Sequence, residues 1–324
     1  MSLLVQPELV STIIPVFNRP EMIVESVNSV LAQTYRPIEV LIVDDGSTDE
    51  TPAVLQALSD QHKEVRVFSQ NNTGPGSARE LGRINARGEY IQYLDSDDLL
   101  LPNKFEEQIR ALERNPEADV CYGKTEAINY GDTPLGEASR LTGRKIESMF
   151  PSFLRERWWF TSTPLYRRGI VEDIGPWSPE SNEEDWEYDC RIAARGGLLA
   201  RVNSFVSLHR RHDSHLSEGG SVLPEKLAAR AISRAKIFQH GRAYESLPSP
   251  PIPISKEDWR FFSNYAFLLC RQCALVDLKT EARAMLAISI DSLEKKTWQH
   301  IIFIRLIKFF GWHKAALLIT KIKG

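Results

Sequence analysis

The chain has 324 residues, of which 42% are hydrophobic and 26% charged, so it can bury a sizeable core and should form one large domain plus an appendage. Its formal net charge of -3 argues against nucleic acid as a partner, because binding to phosphates normally requires a basic excess or patch. Residues 1–8 lack the basic start and apolar run of a signal peptide, and no stretch supplies about 18 uncharged apolar residues for a spanning helix, so we expect a soluble or peripheral protein.

The first part of the chain alternates short apolar runs with amphipathic stretches, which predicts a mostly parallel sheet with flanking helices. The run at residues 38–43 is nearly continuous, as expected of a central strand covered on both sides. Ser47 and Glu50 stand three positions apart, a capping-box pattern that opens a helix. The predicted strands are residues 10–17, 38–43, 65–68, 90–94 and 120–122, and the predicted helices lie near Ile23, after Glu50, at 78–86 and from Pro102.

The pattern then becomes less regular. Residues 123–149 show no clear period and are expected to form a connecting region. Residues 160–166 and 202–208 are predicted strands. Residues 184–195 form a predicted helix that ends at a pair of glycines, a usual stop signal.

Long helical patterns dominate the last third of the chain. We therefore predict an α/β domain at residues 1–222, with halves at about 1–123 and 124–222, and a C-terminal helical region at 223–324. The helical region contains a proline-rich linker at 247–254 and a predicted helical hairpin formed by segments 259–277 and 280–293.

Cysteine usage points to a reducing compartment, which favours a cytoplasmic protein. The four cysteines are too few and too scattered for a disulfide framework. Cys270 and Cys273 stand three apart, but no second pair or histidine cluster completes four metal ligands, so both are predicted to be buried core thiols.

Two acidic clusters follow predicted strands. Asp44 and Asp45 end one strand, and the segment Asp95–Asp98 follows another, so both clusters should lie at the carboxyl edge of the sheet, where open α/β folds bind ligands. Carboxylate oxygens suit Mg²⁺ or Mn²⁺, which complete their shells with water and substrate phosphate oxygens. The alternative for the second cluster is a turn and helix cap.

Several motifs occur in an order that resembles glycosyltransferase family 2. The motifs are Ile14–Asn18, Val43–Ser47, Gly74–Arg79, Leu94–Asp98, Thr161–Thr163, Gly175–Trp177 and Glu184–Trp186. The resemblance covers about residues 10–217 and implies a GT-A fold, in which the half at 1–123 binds a nucleotide sugar and the half at 124–222 binds the acceptor. It also implies metal-dependent transfer with inversion at the anomeric carbon.

The resemblance assigns roles to individual residues. Pro15 and Phe17 would border the base and Asp45 would hydrogen-bond it, which favours uracil or thymine. Arg79 would lie near the nucleotide, Asp95 at the ribose and Asp97 at the metal. Asn18 and Ser96 would also contact the donor. Arg79 has an alternative as an exposed helix residue.

The late motifs supply the remaining candidates. Asp185 is the candidate general base, and the neighbouring Glu183 and Glu184 would raise its pKa by charge repulsion. The alternative is that these acids only cap a helix or form a solvated acidic run. His212 would contact the metal or diphosphate, and Arg210 or Arg211 would offset the charge of the leaving diphosphate. This chain lacks the tyrosine that usually precedes the family's arginine. His209 and His215 are expected to be surface or satisfied polar residues, and residues 214–221 have the composition of a mobile loop that could order over bound donor.

The final segment, residues 295–324, combines lysine and arginine with tryptophan, phenylalanine and isoleucine and contains no acidic residue. Such a basic amphipathic helix could lie on an anionic membrane surface and bring the protein to a lipid-linked acceptor. Packing onto the catalytic domain or onto a second copy in a homo-oligomer is the alternative.

Taken together, the motifs predict a hexosyl- or N-acetylhexosaminyltransferase. Its donor would be a nucleoside-diphosphate sugar, with UDP-sugar expected, and its acceptor would be a hydroxyl of a saccharide or of a lipid-linked molecule. Such a reaction belongs to polysaccharide biosynthesis of the cell envelope. A sugar nucleotidyltransferase would need a basic glycine-rich first loop, and the turn Phe17–Pro20 contains no glycine and no lysine. A module that binds nucleotide sugar without turnover would be expected to lack the late acid, and Asp185 is present.

Overall fold

The computed structural model describes residues 4–129, 131, 133–134, 136–179, 182–211 and 223–321. The chain divides into two compact units, each with a hydrophobic core of its own. The first unit comprises Met1–Ser148, Trp158–Pro179 and Gly197–His215, and the second comprises Met149–Arg157, Glu180–Gly196 and Leu216–Gly324.

The first unit is built on an eight-stranded mixed sheet. Its strands are β1 (Gln6–Val16), β2 (Ile38–Asp44), β3 (Val65–Ser69), β4 (Gly88–Tyr93), β5 (Leu99–Leu100), β6 (Val120–Asn129), β7 (Leu165–Arg167) and β8 (Leu199–Arg211). Their order in the sheet is β3-β2-β1-β4-β7-β6-β8-β5. β1 is parallel to β2 and β4, β2 is parallel to β3, and β6 is parallel to β8, whereas β7 and β5 are antiparallel to their neighbours. The predicted mostly parallel sheet is thus confirmed.

Helices cover this sheet: α1 (Pro20–Leu31), α2 (Thr51–Gln61), α3 (Pro75–Asn85), α4 (Lys104–Arg114) and α5 (Arg168–Ile174). All seven residues of β2 are buried, as its continuous apolar run predicts. α1 starts with Pro20, whose missing N–H is not needed at a helix start, and it buries Ile23, Val27 and Val30. These side chains belong to the core that also contains the inner side chains of β1 and β2.

Two local predictions in this unit are wrong. The helix after β2 begins at Thr51 without a side-chain cap, because the Ser47 hydroxyl accepts a hydrogen bond from the Asn18 backbone N–H instead (2.9 Å). The strand predicted at residues 160–166 is confined to Leu165–Arg167. Before it the chain turns, and the Thr163 carbonyl accepts a hydrogen bond from the Lys104 ammonium (2.7 Å) rather than from a neighbouring strand.

The region without a clear period contains the extension of β6. This strand runs to Asn129 and pairs with β8 along its length. Its register shifts between Tyr122 and Lys124 and again between Lys124 and Thr125, which interrupts the alternation of inward and outward side chains. A strand with such irregularities has no period of two for sequence patterns to detect.

The second unit is helical. It contains a short 3-10 helix (Ser152–Leu154) and the helices α6 (Glu184–Ala194), α7 (Pro224–Glu245), α8 (Lys256–Leu275), α9 (Lys279–Asp291) and α10 (Trp298–Lys321). α8 and α9 pack against each other and correspond to the predicted hairpin. α8 begins with a reciprocal capping box between Ser255 and Asp258. No helix among the residues described above has both the length and the apolar character needed to cross a membrane.

The cysteines are buried free thiols, as predicted for Cys270 and Cys273. Both of these lie in the core formed by α7, α8, α9 and α10, and their side chains are fully inaccessible. Burial raises the pKa of the Cys273 thiol to about 12, and it raises the pKa of Cys121 in the first unit to about 12 as well. These groups are packing residues of the two cores.

Candidate functional site

The carboxyl ends of β1, β2 and β4 meet at one edge of the sheet, because these strands are adjacent and parallel. Val16 pairs with Asp44, and the Leu94 backbone N–H donates to the Ile13 carbonyl (3.0 Å), so the segments that follow the strands start side by side. This edge carries most of the residues that the family resemblance assigns to the donor. Asp185 lies in the second unit, and His212 lies outside the described residues.

Asp45 organises the loop that leads into α3. Its carboxylate accepts hydrogen bonds from the Gln70 side chain (2.8 Å) and from the backbone N–H groups of Thr73 (2.9 Å) and Gly74 (2.9 Å). Gly74 has φ 93°, a conformation that favours glycine. Three of the roughly four acceptor positions of the Asp45 carboxylate are therefore used inside the protein.

The turn after β1 is joined to the turn after β2 through Asn18. This residue has φ 51°, its backbone N–H donates to the Ser47 hydroxyl (2.9 Å), and its side-chain oxygen accepts from the Thr48 N–H (2.8 Å). Pro15 is buried, while Phe17 is half-buried and Asn18 is exposed. The two turns thus form one surface bordered by an aromatic ring.

Arg79 and Asp95 form a short ion pair (2.7 Å). Arg79 is only 4% exposed, and its guanidinium carbon lies 4.8 Å from the centre of the Trp177 ring, so the alternative of an exposed helix residue is wrong. Burial raises the pKa of Asp95; the Arg79 guanidinium opposes this, and the charges of Asp98 and Asp97 add to it. The Asp95 side chain is 31% exposed and can still reach a ligand.

Asp97 is held by two arginines that come from distant parts of the chain. Arg19, in the turn after β1, forms an ion pair with its carboxylate, and the Arg210 guanidinium donates to its backbone carbonyl. Arg210 also pairs with Glu25 on α1 and is 3% exposed. Arg19 and Glu25 were not predicted from the sequence. Ser96 is buried, and its carbonyl accepts from the Ser26 hydroxyl (2.9 Å).

Asp98 is fully buried and acts within the protein. Its carboxylate accepts from the Ser162 hydroxyl (2.9 Å) and the Arg210 backbone N–H (3.2 Å), and it bonds the His209 ring (3.0 Å). His209 stacks on Phe160 (4.1 Å), which confirms it as a satisfied polar residue. Burial lowers the pKa of His209, but the charge and hydrogen bond of Asp98, together with the charges of Asp97 and Asp95, outweigh burial and raise the net pKa.

Few described side chains at this edge could hold a divalent cation. In the described ranges, no group of three or more histidine, cysteine or acidic side chains could hold a metal. Mg²⁺ and Mn²⁺ are commonly bound by one or two carboxylates together with water and phosphate oxygens. Asp97 is the carboxylate that the family resemblance assigns to the metal, whereas the oxygens of Asp98 are already used by protein donors.

In the second unit, Asp185 lies in the first turn of α6 and is held by Arg157. Arg157 is 5% exposed and also pairs with Asp189 (2.7 Å), whose side chain is completely buried. Asp185 keeps 28% of its side chain exposed, so it combines a fixed position with access to solvent. Arg157 and Asp189 were not predicted.

The acids beside Asp185 are not a solvated run. Glu184 is 6% exposed. Glu183 is the N-cap residue of α6 but makes no side-chain cap; its carboxylate pairs with Arg234 (2.6 Å), which is fully buried and lies over the Trp186 ring (3.8 Å). The solvated run is therefore wrong as an account of this cluster, because Glu183 and Asp185 are paired with buried arginines. Asp185 also accepts a hydrogen bond from the Trp186 backbone N–H in the first turn of α6 (2.7 Å), as the helix-cap alternative expects.

Comparison with known proteins places these features in a family. A family model described as Glycosyl transferase family 2 matches residues 11–170. An uncharacterized glycosyltransferase from Haemophilus influenzae is 38% identical over 208 residues, which cover 62% of this chain and 79% of that protein. An uncharacterized glycosyltransferase from Rickettsia felis is 47% identical over 106 residues, and the chain spans only 17% of its length.

Solved structures show the same fold. S. aureus TarS, residues 1–349 in complex with UDP-GlcNAc, has a TM-score of 0.69 and 14% identity, over 97% of this chain and 91% of that one. The mannosyltransferase PcManGT from Pyrobaculum calidifontis, in complex with GDP-Man and Mn²⁺, has a TM-score of 0.52 and 17% identity, over 97% and 86% of the two chains. At these identities the likeness concerns the fold, which is the GT-A fold that the sequence predicts.

Proposed function

The chain belongs to glycosyltransferase family 2, and on that basis we propose that it transfers a sugar, with inversion, from a nucleoside-diphosphate sugar to a hydroxyl of a saccharide or lipid-linked acceptor. The observation that carries the proposal is the convergence of Asp45, Asp95 and Asp97 at one edge of the parallel strands, where α/β folds bind nucleotides. We further propose that the transferred sugar is a hexose or an N-acetylhexosamine. The reaction would take place in the cytoplasm and serve cell-envelope polysaccharide synthesis.

The donor nucleotide is assigned to the surface formed by the turns after β1 and β2. Pro15, Phe17 and Asn18 border the base, and the remaining acceptor position of Asp45 receives a base N–H. Both uracil and guanine offer such an N–H; we expect UDP, and the TarS complex with UDP-GlcNAc and the PcManGT complex with GDP-Man make these the two donors to test first.

The ribose and diphosphate are assigned to the next segment of the same edge. Asp95, oriented by Arg79, accepts from a ribose hydroxyl, with Ser96 beside it. Asp97 would hold a Mn²⁺ or Mg²⁺ ion, with His212 as the second protein ligand that the family resemblance implies. When bound, the cation offsets the negative charge that develops on the leaving diphosphate. Arg210 contributes a fixed positive charge at the same place.

Asp185 is the proposed general base. It removes the proton of the acceptor hydroxyl as that oxygen bonds to the anomeric carbon, and the nucleoside diphosphate leaves from the opposite side with the electrons of the broken bond. This single displacement inverts the anomeric configuration. Arg157 positions the carboxylate and is itself anchored by Asp189. An exposed, fixed carboxylate favours turnover over binding alone.

A donor screen tests the function directly. The purified chain is mixed with UDP-, dTDP- and GDP-sugars, each with Mn²⁺, with Mg²⁺ or with a chelator, and thermal unfolding and release of nucleoside diphosphate are measured. We expect one nucleotide class to raise the unfolding temperature and to be slowly hydrolysed only when a divalent cation is present. If no nucleotide sugar stabilises the protein under any of these conditions, the proposed function is wrong.

A further inference from the structure

The last helix of the second unit has an outer surface that the proposed reaction does not use. α10 is broken at Gly311, where φ is 77° and ψ is 172°, so that Phe309 and Phe310 lie at a turn between two helical segments. Phe309 is 80% exposed and Phe310 is 53% exposed, and their ring centres are 6.4 Å apart. The turn therefore presents a pair of aromatic rings to solvent.

The inner side of α10 is already packed within its own unit. Phe303 is fully buried and contacts the rings of Phe267 on α8 (5.4 Å) and Trp312 (6.1 Å). Ala315 and Ala316 are also fully buried in the same core. The helix is thus fixed on one side, and the composition of its other side is not explained by packing within the unit.

The outer side of α10 combines apolar and cationic residues. Five exposed residues before the kink share one face of the helix: Trp298, Ile301, Arg305, Lys308 and Phe309. With 3.6 residues per turn, they fall within an arc of about 100°. Beyond the kink the exposed residues continue the same composition. The exposed apolar side chains of α10 are Trp298, Ile301, Phe309, Phe310, Leu317 and Leu318. The exposed cations are Arg305, Lys308 and Lys314 on the helix, with Lys295 and Lys296 just before it.

No negative charge balances these cations within the segment, because no acidic residue follows Glu294 in the sequence. We propose that this outer surface of α10 docks onto an anionic lipid bilayer, with the Phe309–Phe310 turn entering the headgroup region. Aromatic and aliphatic side chains enter the boundary between headgroups and acyl chains, and each lysine or arginine near an anionic surface adds electrostatic attraction.

The charge of the surface also decides between a bilayer and a second copy of the chain. In a twofold dimer the same patch meets itself, so its exposed lysines and arginine would face an identical set, with no acidic residue of this segment between them. Such a contact is repulsive. An anionic bilayer satisfies the charge and the apolar rings at the same time. This inference stands independently of the proposed transfer reaction.

Vesicle co-sedimentation of the full chain tests the proposal. Vesicles of phosphatidylglycerol and phosphatidylcholine are compared with vesicles of phosphatidylcholine alone. The test variants are Phe309→Ser with Phe310→Ser, and Lys308→Glu with Lys314→Glu. The control for the apolar pair is Ile84→Ser with Phe261→Ser, at side chains that are 54% and 46% exposed. The control for the charged pair is Lys63→Glu with Lys256→Glu, which changes the net charge by the same amount at exposed positions.

We expect the unchanged chain to bind the anionic vesicles, to bind less as salt concentration rises, and to leave the neutral vesicles unbound. Each test pair should lower the partition coefficient by about tenfold or more, while the controls stay near the unchanged chain. Equal binding by test and control variants overturns the proposal. The proposal is also overturned if light scattering shows that the unchanged chain is a dimer and that the Phe309→Ser, Phe310→Ser variant is a monomer. A second copy of the chain would then cover this surface. Stabilisation by nucleotide sugar, measured on the same samples, reports separately on the proposed function.

Discussion

Arg19 and Asp97 form an ion pair at the carboxyl edge of the sheet, although 78 positions of sequence separate them. Their side chains are 13% and 7% exposed, so solvent screens the pair only in part. Asp97 is the carboxylate that we propose for the metal. A cation that binds there therefore competes with the Arg19 guanidinium for the same carboxylate.

Removing this competitor should strengthen cation binding. We expect Arg19→Gln to raise the affinity for Mn²⁺ by about fivefold without donor, since a partly screened ion pair is worth about 1 kcal/mol. Isothermal titration calorimetry measures the affinity, and Asp97→Asn should abolish the signal. Arg110→Gln, at a side chain that is 61% exposed, is the control. An unchanged affinity in Arg19→Gln would show that the pair does not limit cation binding.

Replacing the proposed base should separate donor binding from transfer. Asp185→Asn keeps the size of the side chain but cannot accept the acceptor proton, so we expect turnover to fall by about 10²- to 10⁴-fold. Thermal stabilisation by the nucleotide sugar should persist. Glu172→Gln, a carboxylate that is 55% exposed, should transfer normally. Normal turnover by Asp185→Asn would remove this residue from the mechanism.

The buried link between Arg157 and Asp189 should be costly to break from one side. Arg157→Gln leaves the Asp189 carboxylate buried without its cation, and we expect the free energy of unfolding to fall by about 3 kcal/mol. Combining it with Asp189→Asn removes the buried negative charge and should restore part of the loss. Urea unfolding of the single and double variants measures both effects. Equal stability of the two variants would contradict this account.

Glu39 should make the first unit sensitive to acid. Burial raises its pKa, but hydrogen bonds from the Ser11 hydroxyl (2.6 Å) and the Arg87 backbone N–H (2.7 Å), with the Arg87 guanidinium, outweigh burial and hold the net pKa below the ordinary value of 4.5. A carboxyl with a lowered folded-state pKa stabilises the fold fully at pH values above its unfolded pKa. This stabilisation is lost as pH falls through the folded-state pKa.

The corresponding variant is Glu39→Gln. We expect it to lower the free energy of unfolding by about 2 kcal/mol near neutral pH, with the difference narrowing below pH of about 4. Denaturant unfolding as a function of pH provides the comparison, and Glu117→Gln, at an exposed position, is the control. A difference that stays constant down to strongly acidic pH would mean that the charge of Glu39 is not what stabilises the fold.

The parts of the fold that follow from local pattern were predictable. The continuous apolar run of β2 gave its position to within one residue, since a strand covered on both sides needs no alternation. The capping box at Ser47 failed because a tertiary partner, Asn18, bonds its hydroxyl. The extension of β6 was missed because its shifted register hides the period. In each failure a distant contact overrode the local signal.

The candidate site divides in the same way. Asp45, Asp95 and Asp97 could be predicted because each follows a recognisable strand. Arg19, Glu25 and Arg157 could not, because their roles depend on partners 78, 185 and 28 positions away, and an arginine or glutamate on a helix or turn usually faces solvent. Only the fold shows that Arg19 and Arg157 pair with acids of the site and that Glu25 pairs with Arg210.

The inaccessible thiols make the chain suitable for selective chemical labelling. A maleimide reacts with thiolate, and burial keeps the native cysteines both shielded and protonated near neutral pH. One cysteine introduced at Phe310 would therefore be the preferred attachment point for an environment-sensitive fluorophore. Its emission would then follow the polarity around the Phe309–Phe310 turn of α10 without altering the native cysteines.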